Sequence, residues 1–223
     1  MSKGKFLAIG VAFLLISSIS LTFFSESLES RSVPISPIRI GCIGDSITEG
    51  SGYPSYLQMM LGKSYTVKNF GVGGSTVLLG AGKPYMNQTE FESALGFLPD
   101  IVIIMLGTND ARPTTYQYIG DFVKDYEKLI EDFKGLPSEP EIYLVKPPPI
   151  FNDESGLSNA NLVQGIIPCT EQVAKELGMP LIDVNTVLID HAEYFPDGVH
   201  PTHTGAKVIA SEIDMAIISK NKM

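Results

Sequence analysis

Apolar and polar positions alternate in blocks along this chain. Five short, mostly apolar runs each lead into a polar or glycine-rich segment, which is typical of β-strands, and they span residues 38–43, 65–70, 101–106, 141–145 and 180–184. The run over 101–106, Ile-Val-Ile-Ile-Met-Leu, has no polar residue. A strand of that kind is expected to be buried on both faces of a parallel sheet.

The segments between these runs show helical periodicity. Apolar residues in 116–134 recur three and four positions apart, at Ile119, Phe122, Val123, Tyr126, Leu129, Ile130 and Phe133. Further helices are predicted over 53–61, over 159–177 and after Thr204. The alternation of strands and helices predicts an α/β fold, namely a three-layer α/β/α sandwich around a mainly parallel five-stranded sheet.

The N-terminal residues differ from the rest of the chain. Lys3 and Lys5 precede an apolar run over 6–24, which is the layout of an export signal and is also just long enough to span a bilayer. We therefore expect residues 1–25 to be a signal peptide or an N-terminal membrane anchor, and the Ser-rich residues 26–36 to be a linker. Residues 37–223 are then one domain, secreted or otherwise extracytoplasmic.

Charge and cysteine content narrow the function. The net charge is −9 and Lys and Arg do not cluster, which argues against a nucleic-acid partner and favours small neutral or locally neutralised substrates. Two cysteines and three histidines without ligand spacing predict no metal. Cys42 and Cys169 are able to pair in an exported chain, although Cys42 lies in a predicted central strand, where a buried thiol is more usual.

Unusual residues follow the first two predicted strands. Ligands of a parallel sheet bind beyond the carboxyl ends of its strands, so these loops are candidate sites. Gly44-Asp45-Ser46 ends the first strand, although a serine at this place is more often a turn or N-cap residue. Residues 69–76 hold three glycines in four positions, as a phosphate loop does, but no Lys-Ser/Thr follows them.

Two later loops supply an amide and a histidine. Asn109, in Gly-Thr-Asn-Asp over 107–110, is either a turn residue or a side chain aimed at a developing oxyanion. Asp197 and His200 are three residues apart around a glycine, so the carboxylate can fold back onto the ring. Together with Ser46 they form a predicted nucleophile, base and orienting acid.

Other residues compete for these roles. His203 and His191 are alternative bases, but neither has an acid three residues before it. Asp45 and Asp110 would suit a glycosidase as paired carboxylates, an assignment that leaves the histidine and the glycines unexplained. We interpret Asp110 as bracing its own loop.

Taken together, the four loops resemble the motif blocks of the SGNH hydrolases, also called GDSL-type esterases and lipases. The resemblance covers about residues 37–219 and carries over Ser46 as nucleophile, with Asp197 and His200 completing the triad. It implies an oxyanion hole made of the Ser46 and Gly74 amides and the Asn109 side chain, and neither a metal nor an organic cofactor. One departure is a glycine at position 73, where the family often has serine.

The substrate is less determined by the sequence. Residues 146–150, Lys-Pro-Pro-Pro-Ile, resemble a K-P-x-P segment of carbohydrate-acetylesterase-like members and are expected to rim the pocket. This favours hydrolysis of short acyl esters, above all acetyl esters of carbohydrate. A lysophospholipase, short-chain lipase or thioesterase of the same family, and a non-catalytic binding domain on the same fold, remain alternatives. Asn87 begins an N-glycosylation sequon, which matters in a eukaryotic source.

Overall fold

The computed structural model of the protein describes residues 36–152 and 156–220. The predicted signal or anchor over 1–25 and nearly all of the predicted linker lie outside the described residues. Within the described ranges, no helix is long and apolar enough to cross a membrane. The strands are β1 (Ile38–Gly44), β2 (Tyr65–Gly71), β3 (Ser75–Thr76), β4 (Lys83–Pro84), β5 (Ile101–Met105), β6 (Glu141–Lys146) and β7 (Leu181–Asp183).

Five of these strands form one parallel sheet in the order β2-β1-β5-β6-β7. All five predicted strands are therefore present, and their carboxyl ends share one edge of the sheet. Strands β3 and β4 form a separate two-stranded parallel pair that the sequence pattern did not indicate. Two-residue strands are too short to show a hydrophobic period.

Helices cover both faces of the sheet. They are α1 (Ser46–Gly50), α2 (Tyr53–Leu61), α3 (Thr89–Gly96), α4 (Pro113–Tyr116), α5 (Phe122–Lys134), α6 (Asn159–Asn161), α7 (Ile167–Leu177), α8 (Val184–Leu188) and α9 (His203–Lys220). Helices α3, α5 and α7 enclose one hydrophobic cluster with Val102 and Ile104, whereas α2, α8 and α9 enclose another with Ile101 and Ile103. Because alternate residues of β5 enter different clusters, the central strand is buried on both faces, which confirms the three-layer α/β/α prediction.

Two predicted helices differ in detail. The predicted helix over 116–134 is interrupted: α4 ends at Tyr116, a 3₁₀ turn spans Ile119–Asp121, and only then does α5 begin. Tyr118 leaves helical geometry, with φ −101° and ψ 18°. The predicted helix over 159–177 is continuous but widens into a π-helical turn at Leu162–Ile166. Pro168 lies two residues after this turn and has no N–H to donate to it, which favours the wider geometry.

The two cysteines are free thiols. Cys42 is fully buried in β1 within the cluster that contains α2 and α9, whereas Cys169 on α7 packs against the other cluster. The sheet therefore separates them, and the disulfide that the sequence left open does not form.

Candidate active site

Ser46 stands at the point where β1 turns into α1. Asp45 caps this short helix, and its Oδ1 accepts a hydrogen bond of 2.9 Å from the Ile47 amide. A Cβ atom at Gly44 would lie 1.9 Å from Thr48 Oγ1 and 2.8 Å from the Met105 carbonyl oxygen, so only glycine fits there. The close passage of the chain at Gly44 fixes the serine at the carboxyl edge of the sheet.

A continuous chain of hydrogen bonds joins Ser46, His200 and Asp197. Ser46 Oγ lies 2.8 Å from His200 Nε2, and His200 Nδ1 lies 2.7 Å from Asp197 Oδ2. The other carboxylate oxygen of Asp197 accepts bonds of 2.7 Å and 2.9 Å from the backbone amides of His200 and Val199. Both ends of the acid are therefore held, and the ring is oriented towards the serine.

The ionisation of Asp197 determines how the ring is protonated. Partial burial raises the pKa of this carboxyl, but hydrogen bonds from the His200 amide and ring and from the Val199 amide outweigh it and lower the pKa to about 2. An ionised carboxylate only accepts hydrogen bonds, so His200 Nδ1 must be the donor. This leaves His200 Nε2 unprotonated in the neutral ring and able to accept the Ser46 proton.

Ser46, His200 and Asp197 line a cavity of about 480 Å³. The two further residues of the predicted oxyanion hole line the same cavity. Gly74 and Asn109 line it together with Ser46 and His200. Gly74 has φ +79°, a left-handed conformation that glycine adopts without strain. Asn109 Nδ2 donates to the Ser75 carbonyl at 3.0 Å and makes a longer contact of 3.4 Å with Asp45 Oδ2. These contacts set the orientation of the amide at the cavity wall.

The loop after β2 is tied down in spite of the glycine at position 73. Glu49 Oε2 accepts a bond of 2.9 Å from the Gly73 amide, and Lys83 Nζ donates to the Gly73 carbonyl at 3.1 Å. Asn69 holds the start of the loop, because its Oδ1 accepts from the Gly71 amide at 2.8 Å. In spite of the departure from the usual serine, the residue before Gly74 is therefore held at both its amide and its carbonyl.

A buried carboxylate supports this region from below. Asp110 is fully buried and accepts bonds of 3.0 Å and 2.9 Å from the amides of Val77 and Leu78. The prediction that Asp110 braces its own loop missed these two partners, which belong to the segment after β3. Burial raises the pKa of Asp110 to about 7 and, with the same leading cause, that of Asp45 to about 6.

The competing histidines lie elsewhere. His203 Nδ1 is hydrogen-bonded to the Tyr56 hydroxyl at 2.8 Å, and His191 Nδ1 to Glu193 at 2.9 Å. Neither histidine lines the cavity. Among the residues that the structure describes, no group of histidine, cysteine or acidic side chains is arranged to hold a metal ion.

The segment 146–150 does not take the expected position at the rim. Lys146 is ion-paired with Glu171 at 2.5 Å and with Asp183 at 2.8 Å, and Pro147 to Ile150 are buried. Of the described residues that line the cavity, none comes from this segment. Lys146 ends β6, and its ion pairs with Glu171 of α7 and Asp183 of β7 hold its side chain away from the cavity.

Sequence reasoning missed three residues of the cavity wall, Arg112, Leu157 and Val199. Arg112 lies three positions after Asn109, just beyond the 3₁₀ turn Asn109–Ala111, so it reaches the same cavity. The proximity of Arg112 to Asn109 in sequence was a usable signal. Leu157 had none, because its segment has no regular period.

The chain is similar to known proteins in sequence and in fold. Residues 42–208 match the model of the GDSL-like lipase/acylhydrolase family. An acetylxylan esterase from Xylanibacter ruminicola is 37% identical in an alignment of 206 residues, and the alignment covers 81% of this chain and 43% of that protein. The chain thus spans less than half the length of this relative.

Solved structures share the fold at lower identity. An acetylxylan esterase from Geobacillus stearothermophilus has a TM-score of 0.65 and 22% identity, covering 82% of this chain and 94% of its own. A carbohydrate acetylesterase from Sinorhizobium meliloti has a TM-score of 0.66 and 17% identity, with coverage of 82% and 100%. The match over most of the domain confirms the predicted resemblance, and the chain belongs to the GDSL-like lipase/acylhydrolase family.

Proposed function

We propose that this protein is a serine esterase that removes acetyl groups from carbohydrate. The observation that carries the proposal is the unbroken hydrogen-bond chain from Ser46 Oγ through His200 to Asp197, which opens into the cavity that Gly74 and Asn109 also line. A nucleophile, a base and oxyanion donors at one cavity are the set of groups that acyl transfer requires. A binding domain has no need of this set.

The first step forms an acyl-enzyme. Ser46 Oγ attacks the ester carbonyl carbon while its proton passes to His200 Nε2, and the carbonyl electron pair moves onto oxygen. The resulting oxyanion accepts hydrogen bonds from the amides of Ser46 and Gly74 and from the Asn109 N–H that, in the free protein, makes only the long contact of 3.4 Å with Asp45 Oδ2. One such donor typically lowers the barrier by about 3 kcal/mol. Asp197 stabilises the imidazolium that has formed. The oxyanion's electron pair then re-forms the carbonyl, the bond between the acyl carbon and the alcohol oxygen breaks, and His200 gives its proton to that oxygen as the alcohol leaves.

The second step hydrolyses the acyl-enzyme, with water as the attacking group. Water loses a proton to His200 Nε2 and attacks the acyl carbon of the Ser46 ester. The tetrahedral intermediate uses the same oxyanion donors, and on its collapse His200 returns the proton to Ser46 Oγ. The acid is released and the enzyme is restored without any cofactor.

The lining of the cavity favours a small acyl group. Its apolar part, among the described residues, consists of Leu157 and Val199, which are 5% and 4% exposed. Two such side chains can cover a methyl group, but they provide little surface for a long chain, whose burial would contribute about 0.8 kcal/mol per methylene. The acetylxylan esterase from Xylanibacter ruminicola supports an acetylated carbohydrate as the alcohol part.

A substrate panel tests the proposal. We expect hydrolysis of 4-nitrophenyl acetate and acetylated xylan, with kcat/KM falling from acetyl to butyryl to lauroyl esters. Ser46→Ala should lose activity by about 10⁴-fold or more while the circular dichroism spectrum stays unchanged. Ser55→Ala is the matched control, since Ser55 is an exposed serine of α2.

Other outcomes identify the alternatives. A preference for lauroyl esters or lysophospholipid would show a lipase or lysophospholipase, and one for acyl thioesters a thioesterase. Failure to hydrolyse any ester, with saccharide binding intact, would show a binding domain on this fold.

A further inference from the structure

A second cavity adjoins the candidate active site. It has a volume of about 560 Å³ and shares Gly74, Asn109 and Arg112 with the cavity that holds Ser46. When an ester carbonyl lies at Ser46, the alcohol part must extend away from the acyl group. The shared wall makes the second cavity a direct continuation for that part of the substrate.

The charge of this second cavity is opposite to that of the whole chain. Although the net charge is −9, the described residues that line it include Lys83 and Arg112 and no carboxylate. Lys83 lies beside Gly74, since a Cβ built on that glycine would be 4.0 Å from Lys83 Cδ. Arg112 lines both cavities and therefore marks their junction.

Both cations retain donors for a ligand. Lys83 Nζ donates one hydrogen bond, to the Gly73 carbonyl at 3.1 Å, and Arg112 Nη1 donates one to the Gly156 carbonyl at 3.4 Å. Within the described part of the chain, neither side chain forms an ion pair. Glu49 accepts from the Gly73 amide instead. An ammonium has three N–H donors and a guanidinium has five, so most remain available.

The rest of the wall suits a sugar ring. Tyr118 is 46% exposed and presents an aromatic surface, while Thr114 and Gln117 supply hydroxyl and amide groups. Pyranose rings combine C–H faces with a rim of hydroxyls, and these match an aromatic face beside hydrogen-bonding side chains. We call the wall formed by Lys83, Arg112, Thr114, Gln117 and Tyr118 the basic cleft.

We propose that the basic cleft binds the carboxylate of an acidic sugar, so that the preferred substrate is an acetylated oligosaccharide with a uronic acid residue next to the acetylated unit. The inference rests on the proposed esterase function and specifies its substrate. Arg112 presents a planar fork that fits a carboxylate, and Lys83 of β4 adds a second positive charge to the same cavity. Local neutralisation of this kind lets an acidic protein accept an anionic substrate.

The experiment compares two acetylated xylo-oligosaccharides that differ only in one glucuronic acid substituent. For the wild type, we expect kcat/KM to be about tenfold higher for the acidic substrate, as charge-assisted hydrogen bonding allows. Lys83→Gln and Arg112→Gln should each bring this ratio towards one, and Lys83→Arg should retain most of it. The preference should also weaken as ionic strength rises, because salt screens exposed charges.

Lys63→Gln is the matched control. Lys63 is an exposed cation just before β2, at the edge of the sheet opposite the cleft, and its loss should leave the ratio unchanged. A wild-type ratio near one, or variants that lose activity equally on both substrates, would overturn the inference.

A binding measurement separates the two proposals. Calorimetry with Ser46→Ala and the deacetylated glucuronate-bearing oligosaccharide should show binding that Lys83→Gln weakens about tenfold. If no ester is hydrolysed by the wild type but this binding is present, the esterase proposal fails and the cleft proposal stands. Equal binding of the neutral oligosaccharide would overturn the cleft proposal by itself.

Discussion

Carboxylates occupy two contrasting places around the same serine. Asp197 lies on an exposed loop, where its side chain is 55% exposed and that of His200 is 48% exposed. Asp45, next to Ser46, and Asp110, next to Asn109, are buried, with exposed fractions of 1% and 0%. Solvent and three hydrogen bonds keep the first carboxylate ionised, whereas burial favours the neutral form of the other two.

The difference shows how the work of the site is divided. A carboxylate that must stabilise an imidazolium has to carry charge, and on this exposed loop the hydrogen bonds to Asp197 outweigh its partial desolvation. A carboxyl that only has to hold backbone amides in place can be buried. We therefore expect loss of the exposed acid to affect activity and loss of a buried acid to affect stability.

The largest effect is expected from Asp197→Asn. The substitution removes the charge that orients His200 and stabilises its cation, so kcat should fall by about 10⁴-fold, as for other serine triads that lose this acid. The free energy of unfolding should change by less than about 1 kcal/mol, because the pair is exposed. Steady-state kinetics and urea unfolding measure the two quantities.

Glu193→Gln is its matched control. Glu193 pairs with His191 at 2.9 Å, which is an exposed acid–histidine contact close in sequence to Asp197 but away from the cavity. This variant should keep full activity. Similar kinetics for the two variants would contradict the assignment of the acid.

A smaller effect, on the free energy of unfolding alone, is expected from the titration of the Asp110 carboxyl. Its pKa is about 7 in the folded state against an ordinary 3.8, so the folded protein keeps a proton that the unfolded chain has lost. This contribution to stability is complete below about pH 4 and is lost as the pH rises to about 7. It does not change further above that pH.

Asp110→Asn removes this titration. An amide has one acceptor oxygen for the two amides of Val77 and Leu78, so at pH 4 the variant should be less stable by about 1–3 kcal/mol. The difference from the wild type should then shrink between pH 4 and pH 7 in urea unfolding. A difference that stays constant or grows would contradict the account. Asp121→Asn, at an exposed position, should show a constant difference.

The sequence was sufficient for the five-stranded sheet and for bringing Ser46, Gly74, Asn109, Asp197 and His200 to one cavity. Apolar runs such as 101–106 identify buried strands, and the rule that parallel strands end at one edge brings Ser46, Gly74 and Asn109 together. The spacing of Asp197 and His200 added a local pairing that needs no knowledge of the fold. The first signal comes from the topology of the sheet and the second from residues close in sequence. Neither requires knowledge of how distant side chains pack.

Two contacts between distant segments that no motif marks could not be predicted. Asp110 binds the segment at Val77 and Leu78, more than thirty residues earlier, and no spacing in the sequence indicates that pairing. Lys146 was misplaced for the same reason, because its partners Glu171 and Asp183 come from later elements. Side-chain direction at a strand end depends on which charges the fold brings near it.

Covalent labelling of the nucleophile tests the central claim most directly. The wild-type protein would be treated with a fluorophosphonate, which phosphonylates an activated serine, and the modified peptide would be identified by mass spectrometry. We predict one adduct per chain, located on Ser46, with loss of esterase activity in proportion to labelling and no adduct in His200→Ala. Hydrolysis that continues in fully labelled protein, or an adduct at any other residue, would contradict the account.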